Sequence, residues 1–251
     1  MFSKKDGRLT WAYWIPTFLF LSGWEVGARL IASPLFPPFS KVIAEFIYLA
    51  GEGILLRHLT LSLLRVVGGF VLGSLTGVVM GIILGCSNLA YKSLSPLFSI
   101  LYPIPALGWL PLLMLWLGLS EALPVTLIFI CSFFPLLYNT IAGIRSVNPK
   151  YIQTARVLGA PPWLILHHVI IPLALPYIFT GLRLEAGMAW RTVVAAEMIA
   201  IPTGIGALLI NAESLIRVDI IFVCLFILSL MSFGGERIFL WLEHKLTGAW
   251  K

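Results

Sequence analysis

The stretch QTARVLGAPPWLILHHVIIP, Gln153 to Pro172, decides how this chain is read. It is the longest stretch that can present a polar, folded surface between two apolar segments of membrane length. It carries Arg156, His167 and His168, a glycine at Gly159, two prolines at Pro161 and Pro162, and an apolar ramp that ends in Pro172. The segments on either side of it give it meaning.

The 251 residues are 59% hydrophobic and only 11% charged, with a mean hydropathy of +0.98. Soluble domains are nearer half apolar and a quarter charged. A soluble core of this length cannot hide so much apolar surface, so lipid must cover much of it. Cys86, Cys131 and Cys224 lie in or beside apolar segments without CxxC spacing and read as small hydrophobes. The run from Trp11 to Ile31 comes after a basic start (Lys4, Lys5, Arg8). It is too long for a signal peptide, holds Glu25 and Arg29, and lacks a small-x-small cleavage site, so it reads as a retained helix.

Six segments reach the roughly 20 residues needed to cross a bilayer: Thr10–Ala32, Leu59–Gly85, Ser95–Leu117, Ala122–Ile144, Pro172–Ile201 and Val218–Leu242. The expected class is an all-α integral membrane protein. Its first part, residues 1–58, holds the first span and an amphipathic helix; residues 59–251 form a five-helix core containing the loop 145–171. In the amphipathic piece Val42, Phe46 and Leu49 recur at helical spacing opposite Lys41, Glu45 and Glu52, as on a helix lying at an interface. Lys4, Lys5, Arg8, Lys92, Arg145, Lys150, Arg156, Arg237, Lys245 and Lys251 fall on one side of this layout. Lys41, Arg57 and Arg217 fall on the other, with Arg29 close by. Basic loops stay in the cytoplasm, so both termini and the Gln153–Pro172 loop are expected there.

Three patterns mark the spans. Gly69, Gly73, Gly77, Gly81 and Gly85 recur every fourth residue, which puts them on one helix face. Such a row lets a neighbouring backbone approach closely, either within the subunit or at a subunit interface. Arg65, just before the row, is expected to snorkel to the outer headgroups. The third span contains Pro96, Pro103, Pro105 and Pro111; interior prolines bend helices and survive in lipid only where protein or a wet cavity takes up the freed carbonyls. The fifth span holds Arg183, Glu185, Arg191 and Glu197, and ionisable groups at membrane depth face a partner or a cavity. Glu197 is either a carboxylate bonded to a neighbouring helix or a lining of the pathway. Arg191 either attracts an anionic solute or neutralises Glu185 or Glu197. Beyond it, Pro202, Gly204 and Gly206 break the helix before a short apolar piece at the outer mouth.

Several chemistries are absent from the sequence. There is no GxxxxGK[ST] phosphate loop, no HExxH and no GxSxG. Adjacent His167 and His168 point about 100° apart on a helix and cannot share a metal. Basic residues are dispersed as topology signals, which leaves nucleic-acid binding without support.

The loop resembles the signature of bacterial-type ABC importer permeases, in general form EAA, three residues, G, nine residues, I-x-L-P. Here Gln153-Thr154-Ala155 is succeeded at that spacing by Gly159 and then by Val169-Ile170-Ile171-Pro172. Gln153 and Thr154 depart from the Glu and Ala of the pattern. SPLFPPFSKV, PLFSILYPIPALGWLPLLMLWLGL, GIRSVNP and WRTVVAAEMI are similar to the nitrate, sulfonate, taurine and bicarbonate branch of these permeases. The resemblance implies the type I ABC importer transmembrane fold and alternating access for a small oxyanion. It implies a short coupling helix near Lys150–Leu158, turned at Gly159, with a restart at Pro161 and Pro162. Gln153, Thr154, Ala155, Arg156, Gly159, Ala160 and Pro172 are the candidate contacts to an ATPase. Pro103, Pro105, Trp109, Trp190, Arg191 and Glu197 are the candidate pathway or gate residues. The implied partners are two cytoplasmic ABC ATPases, which would carry ATP and Mg, a second copy of the chain, and an extracytoplasmic solute-binding protein. No cofactor or metal is expected on this chain, and no enzymatic activity. A ligand-binding membrane subunit of a vitamin-uptake complex and a stand-alone channel are the alternative readings.

Overall fold

A computed structural model describes residues 14–247, in which every regular element is helical. Helix α1 (Ile15–Ile31) has 17 residues, about 26 Å at the usual rise, and ends at Ala32. The first four residues of the expected first span, Thr10 to Tyr13, lie outside the described residues. Trp24 ties α1 to two other parts of the chain. Its Nε1 donates to Pro37 O at 3.0 Å, and its ring lies 4.9 Å from that of Phe222.

Helix α2 (Phe39–Gly51) has the amphipathic pattern expected of it, with Val42 and Leu49 buried and Phe46 packed beside them. Its polar face reaches the start of α11 (Val218–Thr247) through Lys41–Asp219 at 3.4 Å. Arg217, just before α11, pairs with Glu45 at 2.9 Å. Helix α3 (Ile54–Cys86) begins five residues before the expected boundary at Leu59.

The glycine row of α3 faces α6 (Ala122–Arg145) within the same chain. A methyl group added at Gly69, Gly73 or Gly77 would come 2.6 Å from the carbonyl oxygen of Val125, Phe129 or Phe133 respectively. The row is therefore an intrasubunit seam where two backbones touch, as small residues permit in membranes.

The third expected span is not one kinked helix. Helix α4 (Asn88–Leu101) ends, a 3₁₀ turn covers Ala106–Trp109, and α5 (Leu110–Leu117) continues at 84° to α4. Pro103 and Pro105 explain the break: each lacks a backbone donor, and each biases the residue before it away from helix. Pro111 sits in the first turn of α5, where a missing N–H leaves no bond unmade.

After α6 come α7 (Pro149–Val157), α8 (Pro162–Ile165), a π-helical turn at Leu166–Ile170 and α9 (Ile171–Ala200). Pro162 to Ala200 is a near-continuous rod of 39 residues. Helix α10 (Ile205–Ser214) links it to α11. Among the described residues four helices are long and apolar enough to cross a membrane, and the bent α4–α5 pair makes five. Helix α6 lies between α3 and α9, and α11 packs on α9. Helices α2 and α10 share an apolar cluster with α11 at one end of the bundle, while α7 lies beyond the opposite end of α6.

Candidate functional site: a polar loop, a central cavity and a buried ion cluster

The Gln153–Pro172 loop folds from local signals. Asn148 caps α7 by accepting the Lys150 N–H at 3.0 Å, and Pro149 occupies the first turn. At the other end Gly159 takes φ +81°. Its N–H donates to Arg156 O at 3.0 Å, and the Ala160 N–H donates to Ala155 O at 3.0 Å. This pair of bonds is a Schellman motif, which ends a helix on a left-handed residue and favours glycine there. Pro161 is extended, and Pro162 starts the next helix. The expected helix at Lys150–Leu158 thus lies within one residue of the observed one.

Gln153, Thr154, Arg156 and Gly159 are exposed, and Ala155 and Ala160 are half-buried. Thr154 turns its hydroxyl onto its own helix, donating to Lys150 O at 2.9 Å. Around them stand exposed apolar side chains: Val157 at 87%, Leu158 at 80% and Trp163 at 63%. A hollow of about 620 Å³ opens between Arg156, Gly159, Ala160, Trp163 and Cys86. Pro172 lies in the first turn of α9 and is not among the residues that line this hollow.

A second concavity, about 450 Å³, lies where α4 breaks. Pro103 and Pro105 form one wall; Cys131, Phe134 and Pro135 of α6 and Glu185, Met188, Arg191 and Thr192 of α9 form the others. Arg191 also lines a third, of about 680 Å³, with Trp190 and residues of α11. The Arg191 side chain is exposed, and its Nη1 reaches Met188 Sδ at 3.7 Å. Among the described residues it lies within 4 Å of no carboxylate. The alternative expected for it, an ion pair with Glu185 or Glu197, is not formed.

Glu197 is instead held elsewhere. It is 1% exposed and accepts from Arg65 Nη1 at 2.6 Å, from Ser62 Oγ at 2.8 Å and from the Gly206 N–H at 3.0 Å. Arg65 also donates to Glu121 at 2.6 and 2.7 Å and to Thr203 O and Oγ1 at 2.8 and 2.7 Å. Arg65 is 4% exposed, so the expectation that it snorkels to the headgroups is overturned. Two carboxylates and a carbonyl from three other parts of the chain draw the guanidinium inward, and an Arg fork satisfied on every side tolerates burial. Glu121, in the turn before α6, is held below the ordinary carboxyl value of 4.5 by its bonds to Arg65. Trp190 is buried against Val66 and Phe70. Trp109 packs beside Leu110, its Nε1 buried without an acceptor among the described residues.

The six candidate pathway residues therefore divide. Pro103, Pro105 and Arg191 meet at one cavity, Trp190 joins Arg191 at another, and Trp109 and Glu197 line neither. Glu185, Cys131, Met188 and Thr192 are lining residues outside that set. The charge at Glu185 is visible in the sequence, but nothing there places Cys131 of α6 against it.

Comparison with known proteins places this arrangement. Residues 73–248 match the family described as binding-protein-dependent transport system inner membrane component. The taurine transport system permease protein TauC of Escherichia coli is 34% identical over 89% of this chain and 84% of its own length. The nitrate import permease protein NrtB of Synechocystis is 34% identical over 75% of this chain and 68% of its own. Among solved structures, a chain of the MetNI methionine ABC transporter in inward facing conformations superposes with a TM-score of 0.57. The superposition covers 71% of this chain and 91% of that one at 16% identity, so it speaks for the fold alone.

Proposed function

We propose a solute class and a mechanism from one premise: this chain belongs to the binding-protein-dependent inner membrane components and is a permease subunit of an ABC importer. That is a family of permeases and not of enzymes. The solute proposed is a small oxyanion. The observation that carries this is Arg191, a cation without a carboxylate partner among the described residues, in the wall of a cavity on α9. A guanidinium offers a planar fork that matches oxyanions, and a charge left at membrane depth is costly unless an ion compensates it. The names of the relatives TauC and NrtB, a taurine and a nitrate permease, support the same class.

The mechanism is alternating access driven from α7. ATP, with Mg, is bound and hydrolysed on two separate cytoplasmic subunits, which grip α7 through the exposed apolar side chains of Val157, Leu158 and Trp163. Gln153, Thr154 and Arg156 present polar groups on the same surface. Movement of α7 passes through α8 and the π-helical turn into the rod that carries Arg191, so motor and cavity share one element. A second copy of the chain completes the pathway. A solute-binding protein delivers the ion on the side of α2 and α10, both termini facing the cytoplasm. Energy comes from the partner; the permease supplies two arrangements of rigid elements.

The test is uptake by proteoliposomes that hold the chain with its ATPase and binding protein. ATP-dependent accumulation of labelled taurine, nitrate or a simple alkanesulfonate is expected. Uptake that needs no ATP, or ATP-driven uptake of none of these anions, refutes the proposal.

A further inference from the structure

Four buried side-chain polar groups find no hydrogen-bond partner among the described residues. Three are hydroxyls on α3 and α6: Ser74, Ser132 and Thr140. The fourth is the indole N–H of Trp109. A hydroxyl can turn about its bond in search of a partner, whereas an indole nitrogen is a donor only, fixed in the plane of its ring. Folded proteins seldom leave such a donor unmet.

Trp109 ends the 3₁₀ turn beyond the α4 break, just before α5. Ala106 and Leu107 of that turn line the cavity. Trp109 itself packs into an apolar cluster that adjoins the cavity through Ile130, which belongs to both. On α6 the cluster takes Leu127 and Leu123, four and eight residues before the lining residue Cys131. On α9 it takes Ala196 and Ala200, four and eight residues after the lining residue Thr192. Each step of four is about 6 Å of rise. Both steps lead the same way, since α6 and α9 are antiparallel: Ile144 clusters with Ala174 and Ile178 at the other end. The cluster is thus stacked on the cavity toward α10, and α5 presses Leu110 and Leu113 into it, both buried. A solute entering the cavity from the α10 side must part this plug, with Trp109 at its base.

We infer that Trp109 is a solute-binding residue at the α10 side of the cavity: its indole N–H, unmet while α5 is seated, donates to the oxyanion as α5 lifts. The 84° elbow between α4 and α5 lets α5 move without α4. The inference rests on the oxyanion reading above and adds a neutral donor for the same ion beside the charge of Arg191.

The experiment uses proteoliposomes of the complete importer and labelled taurine, nitrate or alkanesulfonate, whichever the wild type carries. Trp109→Phe keeps an aromatic ring and loses the donor. Its uptake rate is expected to fall about tenfold or more, the scale of one hydrogen bond to a charged group. Trp109→His fills the cluster less well but keeps a ring N–H, and should be faster than Trp109→Phe. A residue that only packs gives the reverse order. The plug is read separately through Leu113→Cys, with a membrane-impermeant maleimide added on the side of the binding protein. Modification above that of the unaltered chain should be slow without ATP and several-fold faster during ATP-driven uptake. Trp109→Phe as fast as wild type, Trp109→His no better than Trp109→Phe, or a thiol at 113 whose labelling ignores ATP overturns the inference and leaves the oxyanion reading standing. A wild type that carries none of these anions sinks both, and that failure shows before any variant is made.

Discussion

Replacing Arg65 by methionine removes one cation from beneath two carboxylates, and the structure sets the scale of the damage. The Arg65 and Glu197 side chains are 3% and 0% exposed, so Glu197 would keep only Ser62 and the Gly206 N–H. Stranding a buried charge in this way costs about 3–5 kcal/mol. Glu121, 67% exposed on its side chain, loses a partner but stays in water and adds about 0–1 kcal/mol. Thr203 O loses its donor, at about 1 kcal/mol. The sum is dominated by Glu197, and a chain of this size should melt roughly 8–28 °C lower. Thermal unfolding of the purified chain in detergent measures it. The decisive comparison is Arg65→Met with Glu197→Gln. With no charge left to strand, the double variant should regain about 2 kcal/mol or more over Arg65→Met alone. A single variant within about 1 kcal/mol of wild type, or a double variant no better than the single, would refute the view that Glu197 depends on Arg65.

Other parts of the molecule give three further expected outcomes. Gly73→Leu should destabilise the fold by about 1–3 kcal/mol through overpacking against Phe129, whereas Gly68→Ala, whose methyl would lie 4.0 Å from Val125, should be near neutral; melting curves of the pair check this. A Cβ added at Gly159 would meet nothing within 4 Å, so Gly159→Val acts chiefly through its φ of +81° at about 1–3 kcal/mol. Membrane insertion should survive while ATP hydrolysis no longer drives uptake, read by measuring both in one preparation. Because the carboxyl of Glu121 is held below 4.5 by Arg65, that pair is intact above 4.5 and its contribution is lost only as pH falls through the lower folded value. The melting difference between wild type and Glu121→Gln should therefore hold from about pH 8 to 5 and shrink below about 4.5.

How much of the molecule is legible in the sequence depends on the reach of each signal. Helix α7 is legible because its ends are set by neighbours: Asn148 and Pro149 at the start, Gly159 and the two prolines at the finish. The face of α2 is legible because Val42, Phe46 and Leu49 repeat at one helical period. Prolines announce trouble in the third span, but two of them in tandem with a short turn make an 84° break instead of a kink. Arg65 is misplaced by a sequence reading for two reasons. The helix starts earlier than hydropathy suggests, and the groups that hold the guanidinium lie 56 to 138 residues away in sequence. The cavity cannot be read at all as a cavity. Glu185 and Arg191 are conspicuous as charges, but the neighbours they have instead of each other, Cys131 of α6 for Glu185 and Met188 for Arg191, are not.

The glycine seam has a mechanical consequence. Where the α3 backbone rests against carbonyls of α6 at Gly69, Gly73 and Gly77, neither helix can slide along the other without driving a bulkier residue into the place of a glycine. The two are keyed like a spline in its slot: free to travel together, locked against shear. Any stroke that opens the bundle to one side and then the other must take its play from a different joint. The 84° elbow between α4 and α5 and the wider turn at Leu166–Ile170 are where the chain has slack to give.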